Sequence, residues 1–226
     1  MFENIDYTII GCDNEKEFLK LIGNPILYNN KLLGIIEDLN PSEFNNESDY
    51  FLRISDLNLL KFNYKNLFYL PNSGAEYHWH FLEGFEAFSN GTILPALLSY
   101  ICGIEASLRS TLYMMKTNPS DRLYVRELMN MDLIYEAYDK GLPISTLAFS
   151  NENNFIDSVQ KKNKIRLINV RNDLMHGNIR SYCEKFEEDR IFTPTHLLND
   201  LIETIIISRK WIAEISEFKK IFNKDV

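Results

Sequence analysis

The chain has little with which to cross-link itself. Three cysteines, Cys12, Cys102 and Cys183, are scattered through 226 residues, with no CxxC pair among them. That excludes a disulfide framework and a cysteine zinc site, and it fits a reducing compartment. With 9 Gly and 7 Pro the sequence is neither collagen-like nor low in complexity. Long apolar runs are missing as well. The best stretch, Ile93 to Ile104, is interrupted by Ser99 and Gly103 and falls short of the roughly 20 residues of a membrane span. The opening MFENIDYTII has no basic segment and no sustained apolar one, so no secretory signal is read there. Walker-type phosphate loops, GxGxxG, HExxH and nucleophile elbows do not occur, which removes the commonest nucleotide, zinc-hydrolase and serine-hydrolase signatures. These absences predict a soluble, cytoplasmic protein with no membrane association.

Charge is present in quantity but unevenly placed. The net charge of −8 argues against a generic nucleic-acid binder. Residues 1–90 hold 6 Lys or Arg against 14 Asp or Glu, so the remainder is neutral. Within that neutral part, Lys161, Lys162, Lys164, Arg166, Arg171 and Arg180 face a single acid, Asp173, in the window 160–180. A basic site on an acidic protein, or a solvated helix face, are the two readings of that cluster.

Periodicity predicts a mainly α fold. From Thr92 and Pro95, the residues Leu94, Leu97, Leu98, Ile101, Ile104, Leu108, Leu112 and Met115 recur at three- and four-residue steps. Asn118-Pro119 is read as opening a second helix that stops at Gly141. A third helical region runs from near Asn153 to Gly177 with a break around Asn163, and Thr193-Pro194 opens the last helix. Four such helices with short connections predict a bundle over 91–226. Residues 1–90 form a mixed extension: short helices at Glu15–Ile22 and Lys31–Leu39, a strand or hairpin between Leu57 and Leu70, a turn at 71–74, and a helix over Glu76–Phe88. Its many aromatics are expected to pack on the bundle.

The segment Val170-Arg171-Asn172-Asp173-Leu174-Met175-His176-Gly177-Asn178 carries the most chemical information. At 100° per residue, Arg171 and His176 lie about 140° apart on an ideal helix and share no face. Gly177, however, is suited to the position just past a helix end. His176 therefore sits in or beyond the last turn, where its ring is freer to turn toward Arg171.

This segment resembles the signature of the HEPN superfamily (higher eukaryotes and prokaryotes nucleotide-binding): an arginine, four to six residues, then a histidine, with a polar residue after the arginine. Arg171, Asn172 and His176 fit it, and Gly103-Ile104-Glu105-Ala106-Ser107-Leu108-Arg109 is similar to the family's first long helix. The resemblance covers roughly 91–222 and implies a four-to-five-helix bundle. It further implies a metal-independent endoribonuclease without a cofactor, working as a homodimer whose paired motifs form one composite cleft. By that resemblance His176 moves protons, Arg171 holds the scissile phosphate and Asn172 orients phosphate or ribose, leaving a 2′,3′-cyclic phosphate. A setting in prokaryotic anti-phage defence or a toxin–antitoxin pair is implied too, with an antitoxin or regulatory protein as partner. Some family toxins carry a Tyr two residues after the histidine, where this chain has Asn178; Tyr182 does not match that position.

Other candidates stand beside the motif. Glu105 and Arg109 are spaced for an intrahelical ion pair, or for Glu105 to support Arg171 or His176. Lys161, Lys162, Lys164, Arg166 and Arg180 are the expected RNA contacts. His78 and His80 would share a face on a strand, with Glu83 nearby as a third metal ligand. The helical spacing of Tyr77, Phe81, Phe85 and Phe88 sets them about 200° apart instead, so no metal site is predicted. His196 reads as a surface or packing residue. The rival to an enzyme is a non-catalytic RNA- or nucleotide-binding or protein-interaction module that keeps the motif as a binding site.

Overall fold

A computed structural model describes residues 7–38, 75–115, 129–186 and 189–222. The chain is mainly helical, and the described residues contain eight α-helices. They are α1 (Glu15–Ile22), α2 (Pro25–Asp38), α3 (Ala75–Ser89), α4 (Ile93–Met115), α5 (Met131–Asp139), α6 (Phe155–Gln160), α7 (Arg166–Met175) and α8 (Leu198–Phe222). One antiparallel hairpin, β1 (Glu184–Phe186) with β2 (Asp189–Ile191), sits between α7 and α8 with Lys185 opposite Arg190.

Local chemistry accounts for most of the helix ends. The Asn14 side chain accepts the Glu17 N–H at 3.1 Å and starts α1. Pro25 opens α2 six residues earlier than the Lys31 start expected from the sequence, because Asn24 caps it by accepting the Leu27 N–H at 3.1 Å. Asn130 likewise caps α5, accepting from Leu133 at 2.9 Å. The expected opening at Asn118-Pro119 and the strand between Leu57 and Leu70 lie outside the described residues, as does the turn at 71–74. The helix expected to run on to Gly141 is not continuous: positions 129–130 are not helical and the Asn130 cap starts α5 afresh at Met131. The third helical region divides into α6 and α7, and Lys162 takes a left-handed φ of 54° in the break. Before α8 comes a 3-10 turn, Pro194–Leu197, where His196 Nδ1 accepts the Thr193 N–H at 3.3 Å. His196 thus serves as part of a cap.

The core is one cluster shared by both ends of the chain. Phe18 and Leu19 of α1 and Tyr77, Phe81, Phe85 and Phe88 of α3 are buried together with Leu97, Ile101 and Leu108 of α4 and Trp211, Ile212 and Ile215 of α8. The aromatics of α1 and α3 therefore complete the bundle's core. Polar ties accompany the packing: Trp211 donates to Ser107 Oγ at 2.7 Å, buried Lys219 donates to the Tyr77 hydroxyl at 2.8 Å, and Arg209 pairs with Glu15 at 2.9 Å.

Helices α3 and α4 approach closely, and glycine permits it. A Cβ on Gly103 would stand 2.7 Å from the Phe81 ring, and one on Gly84 would stand 3.1 Å from Tyr100. Phe81 is thereby seated on α4 at Gly103. Its neighbour His80 lines one pocket with Cys102, Glu105 and Ala106.

Candidate functional site

Helix α7 carries the motif, and its start is held from outside. Glu152 accepts the Arg166 N–H at 2.6 Å and the Phe149 N–H at 3.0 Å, so a carboxylate meets the positive end of the helix. The Arg166 side chain forms a fork on Asp200 of α8, at 3.0, 2.8 and 2.6 Å, and lies over the Tyr182 ring. Arg166, expected as an RNA contact, is thus engaged in fastening α7 to α8. Burial pushes the Tyr182 hydroxyl up to about 12, against the lowering effect of Arg166; Asp200 and Asp173 add to the rise.

The helix closes with the cap that the glycine suggested. Gly177 has φ 67°, its N–H donates to the Leu174 carbonyl at 3.3 Å, and the Asn178 N–H donates to the Asp173 carbonyl at 2.7 Å. These two bonds make a Schellman closure. The Asp173 side chain then accepts from Asn178 Nδ2 at 3.0 Å and from Ser181 and Tyr182 at 3.4 Å, tying down the turn that follows. Asp173, the one acid of the basic window, is consumed in this way.

Arg171 points inward and is only 7% exposed. Its Nε lies 3.6 Å from Glu105 Oε2 on α4, and its NH1 donates to Asn172 Oδ1 at 3.2 Å. The other Glu105 oxygen pairs with Arg109 at 3.2 Å and accepts the Met129 N–H at 3.3 Å. Both readings of Glu105 hold together: it makes the intrahelical pair and it supports Arg171. Asn172 is half-buried beside Arg171.

Glu105, Arg109 and Arg171 line a pocket of about 350 Å³ between α3, α4 and α7. His80, Cys102, Glu105, Arg109 and Arg171 supply its polar lining. Burial pushes the Cys102 thiol up, and Glu105 adds to the rise while Arg171 and Arg109 oppose it. His176 stands outside this pocket. It is the exposed cap residue of α7, and Met175 takes the place on the pocket wall. Within one chain, then, Arg171, Asn172, Glu105 and Arg109 come together and His176 faces solvent.

The remaining basic candidates separate by their contacts. Lys162 pairs with Asp132 at 2.7 Å and lies over the Tyr135 ring. Lys161, Lys164 and Arg180 are exposed. His78 and His80 are on helix α3, not a strand, and among the described residues no group of three or more His, Cys, Asp or Glu is placed to hold a metal ion. No described helix is long and apolar enough to cross a membrane. The residue that sequence reasoning missed is His80 in the Arg171 pocket. In the sequence it stands out only beside His78 as a metal candidate, and nothing there revealed that Phe81 would seat on Gly103 and bring it to Arg171.

No protein-family model, no curated protein and no solved structure matches this chain.

Proposed function

We propose that this protein is a metal-independent endoribonuclease of the HEPN type. The observation that carries the reading is the buried Arg171–Glu105 pair beside an exposed His176 at the end of the same helix. The pair orients a permanently charged, fork-shaped donor at the edge of a pocket, where it can hold a phosphodiester. The ribose 2′-hydroxyl attacks phosphorus, a 2′-O–P bond forms and the P–O5′ bond breaks. His176 takes the hydroxyl proton, and water protonates the departing 5′-oxygen; positioned proton transfer of this kind is worth roughly 10²–10⁴ in rate. Products end in a 2′,3′-cyclic phosphate. Because His176 lies outside the pocket of its own chain, the reading requires a second copy to bring another motif to the cleft, as a two-fold dimer does. Restraint by an antitoxin or regulatory partner, in a prokaryotic defence setting, belongs to the same proposal.

The test is cleavage of an end-labelled, structured RNA in EDTA by wild type and His176→Ala. Wild-type cleavage with cyclic-phosphate ends, abolished in the variant, is the expected result. Equal cleavage by both overturns it. One observation favours a second reading, a non-catalytic RNA- or nucleotide-binding module: His176 is not on the wall of the pocket that Arg171 lines. RNA binding that needs Arg171 with no cleavage under any condition would select that module.

A further inference from the structure

The Arg171 pocket has a third wall, and that wall comes from outside the motif-bearing segment. Helix α3 delivers His80 because Phe81 seats on Gly103, where a Cβ would be 2.7 Å from its ring. His80 shares this pocket with Arg109 and Arg171, which both pair with Glu105, its one carboxylate. Glu105 is already shared by two guanidinium groups and the Met129 N–H, so the lining keeps donors to spare. Arg171 Nε is buried with no hydrogen bond among the described residues. That nitrogen is turned to Glu105 Oε2 at 3.6 Å, so the pair holds the guanidinium in place at the pocket. The rest of the lining, Leu98, Ile101, Ala106 and Met175, is apolar. Cationic donors together with an apolar remainder suit an anion joined to a flat apolar body better than a bare ion.

We propose that His80 is a phosphate-contacting residue of this pocket, so that α3, α4 and α7 together hold one phosphorylated nucleoside of the substrate. Imidazole donates an N–H to a phosphate oxygen in either protonation state. The identity of the substrate rests on the ribonuclease reading, but the contact itself is testable without cleavage. His80 is exposed on a helix whose buried face is aromatic, so His80→Gln leaves the core untouched.

Adenosine 3′-monophosphate is titrated into the full chain while the ring resonances of the four histidines are followed, each assigned by its own Gln variant. The expected result is a saturable shift of the His80 ring, with His196 unmoved. His80→Gln should bind about tenfold more weakly, with an unchanged melting temperature, and His80→Arg should recover affinity. A nucleotide that binds while the His80 ring stays still, or equal affinity in His80→Gln, overturns the proposal. So does the absence of saturable binding by wild type at millimolar nucleotide. RNA cleavage scored in parallel separates the two ideas. Cleavage with an indifferent His80 keeps the nuclease and removes this contact. Binding through His80 without any cleavage does the reverse.

Discussion

Replacing Glu105 by Gln tests whether the site rests on a buried ion pair. Glu105 and Arg171 have side chains 10% and 8% exposed and stand 3.6 Å apart. At an effective dielectric near 20, two charges at about 4 Å attract by about 4 kcal/mol, while desolvation of both ions offsets much of that. Removing one partner leaves the offset without the attraction, and breaking such pairs costs about 3–5 kcal/mol. The amide still accepts from Met129, and Arg109, one-third exposed, can turn to water. The expected loss is therefore at the lower end, about 3 kcal/mol, or roughly 6–12 °C in Tm for a chain of this size. Arg171→Met should cost somewhat less, because Glu105 keeps Arg109 and the Met129 N–H when Arg171 is gone. The double variant should lose clearly less than the sum, with a coupling of at least about 2 kcal/mol. Urea unfolding of the four proteins gives every corner of the cycle. A loss under about 0.5 kcal/mol in Glu105→Gln, or additivity within that margin, would refute the buried-pair account.

Gly103→Ala should destabilise by up to about 2 kcal/mol: overpacking against Phe81 costs about 1–3, and the better helix propensity of Ala returns about 1. Urea midpoints check it, and a gain in stability would show that α3 can move away from α4 freely. For Tyr182, the folded state keeps its proton up to about pH 12 while the unfolded chain releases it near 10. The stability this contributes is fully present below pH 10 and is lost as pH rises through about 12. Tyr182→Phe should flatten that alkaline limb in unfolding curves taken across the window; an unchanged limb would count against the burial of the hydroxyl. Lys161→Ala and Lys164→Ala should each reduce the salt slope of single-stranded RNA binding by about 0.7, the share of one phosphate contact. Arg166→Ala should instead lower stability with the slope intact, because its fork is on Asp200. An Arg166 variant that alters the slope alone would place that residue on RNA.

How legible the fold was depends on what each element answers to. Helices α1, α3, α4 and α8 announce themselves by caps and three- and four-residue periodicity, and the Gly177 closure follows from one residue's tolerance of positive φ. The break before α7 was visible as an interruption of pattern at Asn163. Pro25 as the start of α2 went unread, since Asn24-Pro25 carries a capping signal that the weak apolar pattern after it obscured. The three-residue strands of the hairpin are too short to show an alternation, and only their pairing defines them. Glu105 was legible as half of an i,i+4 pair with Arg109. Its second bond, to Arg171, spans two helices and has no local signature.

The sequence by itself determined the helical class, most helix ends, and the arginine and histidine that bracket the last turns of α7, because these follow from spacing and from backbone preferences within a few residues. Tertiary structure alone decided that Arg171 is buried against Glu105, that Arg166 is fastened to Asp200, that His176 faces solvent, and that His80 joins the pocket. Each of those outcomes depends on how closely two helices approach and at what register. That is set by the fit of a ring such as Phe81 onto a glycine more than twenty positions away, a steric relation that no local pattern encodes.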